Sequence, residues 1–135
     1  MAATKDDEEY PLDPAEMLSE ESILSFEEYI DMQRAIGEGT RYRILHYLKT
    51  RGDASPKELK AALDLPGNTL HHHLNKLVAV GLVEKRAHNK ADSDGLFTYY
   101  RASSFGKMIL EHGIEELMRM EDDFREMYGA ADNAG

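Results

Sequence analysis

The chain has 135 residues, 26 carboxylates against 16 lysines and arginines, a formal net charge of −10 and no cysteine. That length suits one domain with a real core and is small for two, and the missing thiols exclude disulfides, thiolate metal sites and a cysteine redox switch. No apolar run nears the roughly 18 residues of a membrane span, and the N-terminus lacks a basic-then-apolar signal pattern, so a cytoplasmic protein with no membrane partner is expected.

The charge is unevenly placed. Residues 1–36 carry a net −9, residues 37–90 a net +5 from ten basic and five acidic side chains, and residues 91–135 a net −6. The total argues against a nucleic-acid partner, but its distribution points to an anionic partner for the middle segment. An acidic surface also fits life at high salt, where the Debye length shrinks to about 3 Å at 1 M.

Residues 1–21 are acidic, poor in apolar side chains and hold Pro11 and Pro14, so a loose arm is expected, with at most a turn of helix at Asp13-Pro14-Ala15-Glu16. Ser22 to Ile36 reads as a helix. Ile23, Phe26 and Ile30 share one face and Tyr29, Met32 and Ile36 lie beside it, so it offers two adjacent apolar faces. Gly37 and Gly39 break it. Thr40 is the expected cap of a helix to about Thr50 with Ile44, Leu45 and Leu48 inward. Ser55-Pro56-Lys57-Glu58 has the form of a capping box with proline at the first helical position, starting a helix that ends near Leu63. Asp64-Leu65-Pro66-Gly67 turns the chain into Asn68, the expected cap of the next helix.

That next helix carries the argument. Leu70, Leu74 and Leu77 recur at steps of four and three and share one face. Asn68, His72, Asn75 and Ala79 fall opposite, flanked by His71, Thr69 and Lys76, and no carboxylate occurs from Asn68 to Val83. Gly81 suits a left-handed helix stop. Leu82–His88 and Leu96–Ala102 read as strands joined by the turn-rich Asn89–Gly95, a β-hairpin. Lys85, Arg86, His88 and Lys90 make its first half basic, whereas Asp92 and Asp94 make its tip acidic, which leaves the tip either turned from an anionic partner or meeting it through inorganic cations.

Ser103 or Ser104 caps a last helix to about Tyr128, with Leu110, Ile114, Leu117, Phe124 and Met127 in a near-heptad stripe. So long a helix after a complete small domain needs a cover: either Ser22–Ile36 of its own chain or a second copy across a two-fold axis. The second is the expectation, with Ile23, Phe26, Ile30, Leu110, Ile114, Leu117, Phe124 and Met127 as the dimer interface. Four methionines of the helix, Met108, Met118, Met120 and Met127, are read as packing residues.

Gly39-Thr40-Arg41-Tyr42-Arg43-Ile44-Leu45-His46-Tyr47-Leu48 and His73-Leu74-x-x-Leu77-x-x-x-Gly81-Leu82-Val83 resemble, in that order and spacing, the paired motifs of ArsR-like winged helix-turn-helix regulators, over roughly residues 37 to 102. The acidic composition and long flanking helices resemble haloarchaeal members in particular, among them one linked to reactive oxygen species. The resemblance implies a mainly α fold with a β-hairpin wing, a winged helix-turn-helix with extra N- and C-terminal dimerisation helices. The implied divisions are an arm at 1–21, a helix at 22–36, the DNA-binding domain at 37–102, a helix at 103–129 and a tail at 130–135.

On this reading the partner is duplex DNA, as an inverted repeat bound by a homodimer. Asn68, Thr69, His71, His72, Asn75 and Lys76 are the candidates for the major groove, since asparagine can pair bidentately with adenine. Ser55, Lys57 and Arg51, with Arg86, His88 and Lys90 of the wing, are the candidates for phosphate, joined by Arg41, Arg43, Lys60 and the amides at Ser55–Lys57 and Asn68–Thr69. No metal site or cofactor is expected: His71, His72 and His73 point 100° apart and cannot converge on one ion. No catalytic motif is present, and Glu115-Glu116 and Asp122-Asp123 read as a solvated face, so no enzyme is expected. The rivals are a winged-helix module that binds protein without reading bases, and a regulator gated by a metal or ligand.

Overall fold

The structure is a computed structural model and describes residues 10–89 and 96–129. After a 3-10 turn at Pro14–Met17 come α1 (Phe26–Ile36), α2 (Gly39–Arg51), α3 (Pro56–Leu63) and α4 (Gly67–Ala79), the strands β1 (Val83–Asn89) and β2 (Leu96–Ala102), then α5 (Ser104–Glu111), α6 (Ile114–Phe124) and a π-turn at Arg125–Gly129. The arm before Tyr10, the hairpin tip with Lys90, Asp92 and Asp94, and the tail from Ala130 lie outside the described residues.

Local chemistry explains most boundaries. Ser55 and Glu58 exchange both hydrogen bonds of a capping box and Pro56 opens α3. Asp64 ends α3 in the left-handed region at φ 52°. At the end of α4 the Gly81 amide donates to Val78 and the Leu82 amide to Leu77, with Gly81 at φ 83°, a Schellman stop that turns the chain directly into β1. The strands pair antiparallel, Val83 opposite Ala102 through Asn89 opposite Leu96, and Ala54 adds one bridge to Tyr100.

One core gathers these elements. Ile44, Leu45 and Leu48 of α2, Leu59 of α3, Leu70, Leu74 and Leu77 of α4, Val83 and Tyr100 of the hairpin, and Leu110 of α5 are all 2 % exposed or less. Each buried leucine is worth about 1.5–3 kcal/mol. The three of α4 together rival the roughly 5–15 kcal/mol by which a domain is stable at all, so they fix which side of α4 faces the core, though not its rotation to within a few degrees.

Several expectations need correction. α1 begins at Phe26, not Ser22, because Ser25 and Glu28 form the capping box; Ile23 therefore stands outside the helix, 86 % exposed. The cap of α2 is the Glu38 carboxylate, which accepts from the Arg41 amide, rather than Thr40. α4 starts at Gly67 behind Pro66, so Asn68 lies inside the helix instead of capping it. The last helix is not continuous: it breaks at His112-Gly113 into α5 and α6. Leu110 falls on the α5 side of that break and is fully buried within its own chain, so it is core and not a surface offered to a partner.

Candidate nucleic-acid interface

Because Leu70, Leu74 and Leu77 are fixed inward, the opposite side of α4 is fixed outward. Asn68, His71, His72, Asn75 and Lys76 are exposed and Thr69 is half-buried. The Asn68 Oδ1 accepts the Thr69 amide at 3.0 Å, which leaves the side-chain NH2 to donate. The resulting face holds donors and acceptors and no carboxylate.

Cations flank it. Lys57 of α3 and Arg51 at the end of α2 are exposed, and the Lys60 ammonium lies beside Gly67 at the start of α4, where the helix dipole adds positive potential. On the hairpin, Arg86 and His88 are exposed on the strand face that also carries Glu84, opposite Tyr99 and Phe97. Arg86 is paired with Glu84 at 3.2 Å, so any phosphate must compete with that carboxylate. The Phe97 and Tyr99 rings stack at 6.3 Å and stiffen this face.

Two phosphate candidates change role. The Ser55 amide donates to Glu58 Oε1 at 3.0 Å and its hydroxyl accepts the Glu58 amide at 3.2 Å, with the residue 8 % exposed, so the capping box takes the amide assigned to phosphate. Arg41 turns inward. Its Nε donates to the Ala35 carbonyl at 2.7 Å and its Nη1 meets His73 Nδ1 at 3.2 Å. Burial above all, and then the Arg41 charge against the opposing pull of Glu38, holds the His73 imidazole below its ordinary pKa.

Sequence reasoning missed a second polar cluster. Glu115, read as solvated, is 9 % exposed. Its Oε2 accepts the Tyr42 hydroxyl at 2.9 Å and meets His46 Nδ1 at 3.2 Å, and its Oε1 accepts Lys49 Nζ at 3.4 Å. The signal was present: Tyr42, His46 and Lys49 recur at steps of four and three and make a polar stripe on α2 that calls for an anion. Among the described residues no group of three histidine, aspartate or glutamate side chains is placed to hold a metal ion, and no helix is long and apolar enough to cross a membrane.

The apolar stripe beyond the break is uncovered. Ile114 is 49 %, Leu117 60 %, Phe124 45 % and Met127 66 % exposed, with Met118, Met120 and Tyr128 beside them. Phe26 and Ile30 of α1 are half-buried, while Met32, Ala35 and Ile36 take the inward face.

Residues 36–86 match the helix-turn-helix domain family. No curated protein matches the chain. Among solved structures it is similar to a transcriptional regulator homologue from Pyrococcus horikoshii, at 23 % identity and a TM-score of 0.57 over 73 % of this chain and 98 % of that one. It is similar to a homodimeric winged helix-turn-helix DNA-binding domain from Mycobacterium bovis, a possible ArsR-family regulator, at 21 % identity and a TM-score of 0.58 over 73 % and 84 %. A third is reduced HlyU from Vibrio cholerae, at 27 % identity and a TM-score of 0.52 over 63 % and 83 %. The helical domain and two-stranded hairpin are those of a winged helix-turn-helix.

Proposed function

We propose, from the premise that this chain is a winged helix-turn-helix protein, that it binds duplex DNA sequence-specifically as a homodimer and regulates transcription. The observation that carries the reading is the outer face of α4: Asn68, His71, His72, Asn75 and Lys76 stand exposed, without a carboxylate, on a helix whose other face is locked in the core. Asn68, His72 and Asn75 supply base-edge donors and acceptors in the major groove, while Lys57, Lys60, Arg51, Arg86 and His88 set the position on the backbone.

The uncovered stripe on α6 supports the homodimer, with Ile114, Leu117, Phe124 and Met127 pairing across a two-fold axis and Phe26 and Ile30 of α1 alongside. Two reading helices related by that axis would meet an inverted repeat. The net charge of −10 suits a cytoplasm rich in salt, with inorganic cations between acidic groups and phosphate. A part in the oxidative-stress response rests on the family resemblance alone, and in a chain without cysteine the signal would arrive indirectly.

The test is selection from random duplex DNA at molar potassium chloride, followed by sequencing. An enriched inverted repeat is the expected result. A folded, dimeric protein that enriches nothing would point instead to a protein-binding module.

A further inference from the structure

We propose that Arg41 and His73 form a clamp that sets the rotation of the reading helix, and that protonation of His73 opens it. The inference rests on the DNA-reading role of α4. One guanidinium joins three helices: it sits near the start of α2, donates through Nε to the Ala35 carbonyl in the last turn of α1, and reaches Nδ1 of His73 in α4 at 3.2 Å. A guanidinium has donors only, so Nδ1 must be the acceptor, and the ring is then neutral with its proton on Nε2.

Protonation removes that acceptor and sets an N–H against an N–H, with two like charges in contact. The ring has another partner to hand, since Glu38 Oε2 lies 3.8 Å from the same Nδ1. That oxygen already caps α2 by accepting the Arg41 amide at 2.9 Å. The clamp therefore has two arrangements: neutral His73 held by Arg41, and charged His73 drawn to Glu38 against the cap.

The charged surroundings favour the closed form near neutrality. Asp31 and Arg34 of α1 share a cleft of about 400 Å³ with Arg41 and Lys76; Glu38 and Arg41 face the ring from the start of α2; His72, with ring centroids 5.4 Å apart, and Lys76 face it from α4 itself. Burial first, and then Arg41, His72 and Lys76, outweigh Glu38 and lower the imidazole pKa from 6.5. For a group lowered on folding, the closed clamp is complete above 6.5 and is lost as pH falls through the folded value.

Base reading depends on side chains held to within roughly 0.5 Å and 10–20°. Non-specific binding depends on charge, which protonation raises. Opening the clamp thus lowers specificity and spares general affinity.

The experiment compares two probes from pH 8 to pH 5 at constant salt: the duplex enriched from random sequence and a shuffled duplex of the same composition. The wild-type ratio of affinities falls about tenfold on acidification, the scale of one lost charged hydrogen bond, while binding to the shuffled duplex does not weaken. His73→Asn places a non-titrating acceptor oxygen where Nδ1 stands; it keeps the high ratio and loses the pH dependence. Arg41→Lys cannot span both acceptors and gives a low ratio at every pH. A His73→Asn profile that follows the wild type overturns the proposal. Nitrogen NMR of the wild-type imidazoles decides the clamp without DNA: His73 with its proton on Nε2 at pH 7.5 is the expected result, and a proton on Nδ1 overturns it. Selection that enriches no duplex defeats the DNA reading, and the NMR result still stands on its own.

Discussion

Tyr42 donates its hydroxyl proton to Glu115 Oε2 at 2.9 Å and so ties α2 to α6 across 73 positions of sequence. With His46 and Lys49 on the same carboxylate, this cluster anchors α6, whose large apolar side chains Ile114, Leu117 and Phe124 stay 45 % or more exposed. Burial resists the charged Glu115, but the bonds from Tyr42 and His46 and the Lys49 charge outweigh it and lower its pKa from 4.5. The Tyr42 hydroxyl is pushed up to about 12 by burial and by the carboxylate it serves.

Glu115→Leu leaves Lys49 and Tyr42 without their acceptor and should cost about 1–3 kcal/mol in denaturant unfolding. The pH dependence follows from the lowered carboxyl. Its contribution is complete above 4.5 and disappears as pH falls through the folded value. Urea midpoints measured from pH 7 to pH 3 should fall less steeply for Glu115→Gln than for the wild type; parallel curves would place the acid sensitivity in other groups.

Gly106 is needed for close approach. A Cβ there would lie 2.2 Å from the Leu82 carbonyl and 3.0 Å from Leu45, both of them inside the packed domain. Gly106→Ala should therefore push α5 away from the start of the wing and lower stability by about 1–3 kcal/mol, as overpacking does. Thermal unfolding checks this, and an unchanged melting temperature would mean that α5 shifts without strain.

The pattern of the helix-turn-helix was open to reading because its causes are local. The Ser55-Pro56-x-Glu58 cap, the Leu70–Leu74–Leu77 face and the Gly81 stop act within a few residues of where they stand, and the second strand follows from its run of Phe97, Thr98, Tyr99 and Tyr100. The errors arose where distant groups decide. Arg41 looks like a phosphate ligand until Ala35 and His73, six and 32 positions away, claim it. Glu115 looks solvated until α2 supplies three donors. The stripe from Leu110 to Met127 looked continuous because periodicity passes smoothly through His112-Gly113. The break there assigns Leu110 to the core and leaves Ile114, Leu117, Phe124 and Met127 outside.

That division predicts opposite outcomes within one stripe. Leu117→Glu places charge on a surface already 60 % exposed, so the folded chain should persist as a monomer, with sedimentation velocity showing the loss of dimer at micromolar concentration. Leu110→Ala instead opens a cavity in a fully buried site and should cost about 2–5 kcal/mol. A Leu117→Glu protein that remains dimeric would move the interface elsewhere, with α1 as the next place to look.

The exposed face of α4 can be divided into reading and positioning groups by the same experiment. Asn75→Ala or His72→Ala should weaken binding to a selected duplex by about 1–3 kcal/mol and relax preference at the bases it meets, because a base edge loses its partner while phosphate contacts remain. Lys57→Ala should instead weaken all duplexes alike and reduce the salt slope by about one. The absolute slope carries separate information. Direct contacts from Lys57, Lys60, Arg51 and Arg86 alone give a steep loss of binding with added salt, whereas cations held between acidic side chains and phosphate offset the counterions released and give a shallow one. Binding measured from 0.1 M to 2 M potassium chloride separates the two, and a steep decline throughout would remove bridging cations from the interface.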